Sequence, residues 1–239
     1  MAGRKKDPVR TTATRNDILE KSYALFTEKT IEAVSMIEIA KACGCGTTTL
    51  YRYYSTKPAL AVAVATRRFE LLLAENQRRR LSAGFDGMTA AEVFAFYLDT
   101  FLVLYRDHRD ALRFNQFFNI YLRKERIDGE TIGPYRELIR GITGQFHIIY
   151  EKAARDHTVR TDVSEEKAFL TTLHLMLAAV TRYAVGLAYQ PESEAETLEE
   201  LETLKRSLLR EYISNAECGT KRWMRGFLYW YHLPYTKMG

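Results

Sequence analysis

Three consecutive threonines, Thr47, Thr48 and Thr49, lead into Tyr51, Arg52, Tyr53 and Tyr54, and Lys57 follows three residues later. These residue types share one chemistry. A threonine methyl can touch a thymine methyl and its hydroxyl can bond a base or a phosphate, while arginine can bridge guanine or grip a phosphate. An ammonium in the first turn of a helix can join the backbone N–H groups there in holding one phosphate. Such groups act together only if a short helix carries them into a groove, so the flanking elements matter. Ser35 followed by Glu38 is a capping box, which starts a helix at Met36. Met36, Ile39, Ala40 and Cys43 form its apolar stripe. Gly44 supplies the positive φ that ends a helix, and the Thr47 hydroxyl is placed to cap a second one. Leu50 and Tyr54, four apart, fall inward, which leaves Thr47, Thr48, Tyr51 and Arg52 largely outward. Residues 35–60 thus outline a helix-turn-helix, with Lys57 opening the next helix. The same spacing also fits an ordinary helical hairpin with a solvated polar face.

Residues 14–65 resemble the N-terminal domain of the tetracycline-repressor-like (TetR) family of bacterial transcriptional regulators. The resemblance rests on Ile18-Leu19 with Leu25-Phe26, then Ile39-Ala40, Gly44, the run Thr49 to Tyr54, Lys57 and Leu60. It implies that Thr47, Thr48 and Tyr51 face bases or the groove wall, and that Thr49, Tyr53 and Lys57 hold phosphates. Ser35 and Arg52 complete this expected set of DNA contacts. Two positions depart from the family pattern. A glycine is usual near Thr30, and a glutamate is more usual at Pro58. Pro is well tolerated in a first helical turn, so the second departure need not harm the fold.

Charge is distributed as such a head requires. Residues 1–80 carry 15 Lys and Arg against 8 Asp and Glu, whereas the remainder carries 20 against 22, for a formal net charge of +5. A basic head on a slightly acidic body suits phosphate binding at one end only. Low Gly and Pro (13 and 5 residues) with 46% hydrophobic residues favour an all-α chain of about nine helices. We expect helices over about 14–29, 36–43, 47–53, 57–81, 89–106, 108–125, 132–156, 164–189 and 194–215. The domains are a basic arm (1–13), the helix-turn-helix head (14–60), a connecting helix (61–81), a ligand-binding and dimerisation body (82–215) and a basic-aromatic tail (216–239). The tail interleaves Lys221, Arg222 and Arg225 with Trp223, Phe227, Tyr229, Trp230 and Tyr231. Such a mixture suits a membrane surface, single-stranded nucleic acid or packing back onto the body. No run of about 18 apolar residues stands out, which argues against a transmembrane helix. The N-terminus lacks the apolar segment of a secretory signal. Together with the odd cysteine count (Cys43, Cys45, Cys218), this leads us to expect reduced thiols in a cytoplasmic protein, and the resemblance implies a bacterial one.

In the body, an apolar lining with a few polar groups is the composition of a small-molecule pocket. Tyr97, Phe101, Tyr105, Phe117, Asn119, Tyr121, His147, Tyr150, His174 and Tyr183 are its candidates, although aromatics at helical spacing also build plain core. Leu198, Leu201, Leu204, Leu208 and Tyr212 recur on the last helix, and small residues (Ala178, Ala179, Ala184, Gly186 and Ala188) recur on the one before. These stripes either cover one subunit's core or pair two subunits, and the resemblance implies a homodimer through both helices. Catalytic triads, HExxH, phosphate-cradling Gly-rich loops and CxxC pairs are missing from the sequence, so neither an enzyme nor a metal or cofactor site is expected. The sequence reads as a homodimeric, effector-responsive transcriptional repressor on a palindromic operator. An architectural protein using the same fold without an inducer is the alternative.

Overall fold

The computed structural model describes residues 8–186, 189, 191 and 193–214, and the expectations for residues 1–7, Cys218 and the 216–239 tail lie outside them. Nine α-helices form among the described residues: α1 (Pro8–Glu28), α2 (Met36–Ala42), α3 (Thr47–Tyr53), α4 (Lys57–Ser82), α5 (Ala90–Asp107), α6 (Arg109–Glu125), α7 (Gly129–Asp156), α8 (Glu165–Val185) and α9 (Glu194–Tyr212). Their starts follow local chemistry. The side chains of Ser35, Thr56, Thr89, Asp128, Ser164 and Ser193 each accept a bond from a first-turn backbone N–H. Each such cap contributes roughly 1 kcal/mol. Ser35–Glu38 and Thr89–Glu92 are full capping boxes.

Several boundaries differ from expectation. Helix α1 begins at Pro8, six residues earlier than expected, because proline is pre-organised for a first helical position. Thr47 is not a cap. Gly46 takes that position with extended backbone (φ −73°, ψ 151°) and no side-chain bond, which places Thr47 inside α3. At the end of α4, the Arg79 and Arg80 guanidinium carbons lie 5.2 Å from the Phe96 ring and 4.2 Å from the Phe85 ring.

The apolar residues gather into two clusters. One joins α1–α4 to α6 and the start of α7: Ile18, Phe26, Ile39, Leu50 and Leu60 pack in the same cluster as Phe114, Phe118, Tyr121 and Tyr135. The other fills the body between α5, α7, α8 and α9, around Phe94, Leu98, Phe146, Met176 and Leu201. Leu201, Leu208 and Tyr212 of α9 are buried in this second cluster. The leucine stripe therefore covers the chain's own core; a helical period alone does not say which neighbour buries it. The stripe also contains Lys205, 2% exposed, whose ammonium pairs with Asp99 of α5 and lies 3.6 Å from Glu202. Apolar surface is left outward on α8 instead, at Leu170, Leu175 and Val185. Contrary to the sequence expectation, α8 is long and apolar enough by composition to span a bilayer, because it carries this outer stripe as well as a core-facing one.

Phe118 is fully buried where head and body share a cluster. Phe118→Ala should cost about 3–5 kcal/mol, read as a lower urea midpoint by circular dichroism. An unchanged midpoint would show that this ring does not carry the packing.

Candidate nucleic-acid interface

The turn between α2 and α3 is built by Gly44, whose φ of 64° lies in the left-handed region that glycine enters without strain. The Gly44 and Cys45 N–H groups bond back to Lys41 and Ala40 carbonyls at 3.0 Å. Leu50 and Tyr54 then anchor α3 from inside at 0% and 4% exposure. The Tyr54 hydroxyl accepts from Arg15 Nε of α1 at 3.2 Å, which ties the end of α3 to α1.

With α3 fixed that way, Thr48, Tyr51 and Arg52 are exposed, and Thr47, Thr49 and Tyr53 are half-buried at the edges of the same face. Arg52 lies 5.9 Å from the Tyr53 ring centroid, so its guanidinium is held along the outer surface. Ser35 is exposed, but its hydroxyl is engaged in the capping box with Glu38. Glu38 in turn pairs with Lys29 at 2.8 Å.

Lys57 departs from expectation. Its ammonium donates to the Glu32 and Val34 carbonyls at 3.1 and 2.8 Å and lies 5.8 Å from the Tyr121 ring centroid. Burial lowers its pKa against the opposing pull of Glu32. The chain between α1 and α2 leaves two carbonyls unpaired there, and a lysine at the start of α4 satisfies them. Lys57 therefore holds the scaffold behind α3. Cys43 and Cys45 are free and half-buried, and burial pushes the Cys43 thiol up to about 11, so it stays protonated at neutral pH.

The expected pocket residues do not converge. Phe101 and Tyr105 are buried between α5 and its neighbours, with Tyr97, Tyr150 and Tyr183 half-buried nearby. Tyr97 packs edge-on against Phe101 and Phe146 at 5.4 and 5.2 Å. The other five lie elsewhere. Tyr121 belongs to the head-side cluster, and Phe117 lines an open groove between α1 and α6. Asn119 and His174 are exposed. His147 is exposed and pairs with Glu165 at 2.8 Å, which raises its pKa. The reason is the orientation of α6: its apolar face turns to the head, which puts Asn119 on the opposite side. Two hydroxyls, that of the expected Tyr97 and that of Thr172, which the sequence did not single out, are buried with no hydrogen-bond partner among the described residues. Their isolation depends on how α5 and α8 pack, for which a helical period gives no signal.

Residues 18–64 match the family model described as bacterial regulatory proteins, tetR family. An uncharacterized HTH-type transcriptional regulator of Mycobacterium tuberculosis is 41% identical over 58 residues, a match spanning 24% of this chain and 29% of that protein. The uncharacterized HTH-type transcriptional regulator YvdT of Bacillus subtilis is 25% identical over 202 residues, 84% of this chain and 98% of that one. Among solved structures, a regulator from Saccharomonospora viridis in complex with choline shares the fold at a TM-score of 0.67 and 13% identity, over 85% of this chain and 100% of that one. These relatives are named as transcriptional regulators, not as enzymes. The helix-turn-helix thus lies inside the segment that is similar to the tetR family of bacterial regulatory proteins, and the fold of the Saccharomonospora viridis regulator extends along most of the chain.

Proposed function

We propose that this protein is a DNA-binding transcriptional regulator that acts as a homodimeric, effector-responsive repressor on a palindromic operator. The observation that carries the reading is the outer face of α3, where Thr48, Tyr51 and Arg52 are exposed on a helix whose inner face is anchored by Leu50 and Tyr54. In this reading Thr47, Thr48 and Tyr51 meet base edges, while Thr49, Arg52 and Tyr53 meet phosphates. Ser35 and Lys57 act from behind by holding α2 and the start of α4.

A dimer is supported by the outer stripe of α8, where Leu170, Leu175 and Val185 are 39–46% exposed. A second copy burying this stripe would place two α3 helices for successive major grooves, about 34 Å apart. Effector response is supported by the aromatic body and by the unpartnered hydroxyls of Tyr97 and Thr172. Leaving such groups unpaired costs about 1–3 kcal/mol each, which a ligand or water with an acceptor can relieve. The effector acts only insofar as it prefers one head spacing to another.

Selection of bound DNA from a random pool tests the core of the proposal: a palindrome with half-sites one turn apart is expected, and no enrichment would refute it. On the selected site, Tyr51→Ala should cost about 1–3 kcal/mol and relax one base position in each half-site, measured by fluorescence anisotropy. Lys57→Ala should lower the melting temperature and weaken binding to all sequences alike, with the slope of log affinity against log salt unchanged. A slope smaller by about one unit would instead assign Lys57 to a phosphate. Leu175→Glu should shift the chain to monomer in analytical ultracentrifugation; a persistent dimer would place the interface elsewhere.

A further inference from the structure

Three helices meet at one carboxylate. Asp110 Oδ2, in the first turn of α6, accepts from the Tyr23 hydroxyl of α1 at 2.7 Å and from Arg68 Nη2 of α4 at 3.0 Å. The Arg68 guanidinium lies 4.4 Å from the Tyr23 ring centroid, and Phe114, one turn along α6, meets that ring edge-on at 5.2 Å. The positive end of α6 favours the Asp110 charge. Burial and the Asp110 bond both raise the Tyr23 pKa, so the phenol stays a neutral donor.

The rest of the junction between head and body is mostly apolar: Phe114, Phe118, Tyr121, Ile132 and Tyr135 pack against α1–α4. Apolar contact is non-directional and tolerates small rotations, whereas hydrogen bonds depend steeply on angle. Both bonds converge on one oxygen, so displacing α1 or α4 relative to α6 strains the two together. The Asp110 side chain is 38% exposed, and an open groove lined by Thr27, Glu28, Arg113 and Phe117 lies beside it. Water can therefore reach the Asp110 carboxylate and take the place of a partner that moves away.

We infer that Tyr23, Asp110 and Arg68 form an interdomain lock that sets the angle of the α1–α3 head on the body, and that opening it lets the head turn on the apolar junction and loosens α1 without unfolding the body. The lock is a property of the fold and stands whether or not the proposed operator binding is right.

Hydrogen exchange by mass spectrometry on the full chain tests it, with wild type, Tyr23→Phe, Asp110→Asn and the double variant. Tyr23→Phe keeps the ring and its packing, so it removes one bond from a folded protein. Amides of α1 should exchange about fivefold faster in each single variant, as expected for one net hydrogen bond. The double variant should be no faster than the more affected single one, because the two groups act as one unit. Amides of α5 and α9 should be unchanged. Unaltered α1 exchange, single effects that multiply in the double variant, or equal acceleration in α5 and α9 would each overturn the lock. In parallel, Asp110→Asn should widen the range of half-site spacings tolerated on the selected operator. A wild type that binds no DNA would refute the proposed regulator and leave the exchange result standing.

Discussion

Helix α6 turns its apolar face toward the head, and the rest of the architecture depends on that contact. Phe114, Phe118 and Tyr121 complete a cluster that α1–α3 cannot close by themselves. Three helices of 21, 7 and 7 residues have too little interior to be stable alone. The head thus borrows its core from the body. Lys57 over Tyr121 marks one end of α6, and the Asp110 cluster marks the other.

This dependence explains how a small recognition element is held. The α3 helix spans only seven residues and has no side-chain cap. It keeps its orientation because Leu50 and Tyr54 are buried, because Arg15 reaches the Tyr54 hydroxyl, and because Lys57 closes the chain behind it. Each tie comes from a different helix. A displacement of α4 or α6 is therefore passed to the groove-facing residues through these ties.

The body follows a second logic. Its aromatic residues mostly meet edge-on, as Phe94, Tyr97, Phe101, Phe146 and Phe169 do. The ring quadrupoles favour this edge-to-face geometry. The unpartnered Tyr97, Thr172 and Thr181 hydroxyls are among the places where that packing leaves polar chemistry unused. The buried Lys205–Asp99 pair shows the opposite case, in which a charge inside the stripe of α9 is matched across to α5.

The helix-turn-helix was legible in the sequence because its signals are local. The Ser35–Glu38 box, Gly44 and the Leu50–Tyr54 spacing each act within a few residues, and α2 and α3 form where they predict. Helical content and the approximate number of helices followed from composition and period. What the sequence could not decide was which neighbour each face meets. The α9 leucines and Tyr121 carry the same periodic signal whether they bury against their own body, a partner or a ligand. Lys57 has the charge for a phosphate, yet two unpaired carbonyls 25 and 23 residues earlier claim it. Asp110 finds Tyr23 across 87 residues. Local hydrogen bonding and helical period are properties of neighbouring residues and can be read along the chain; the partner of a buried face or a charge is set only when the helices pack.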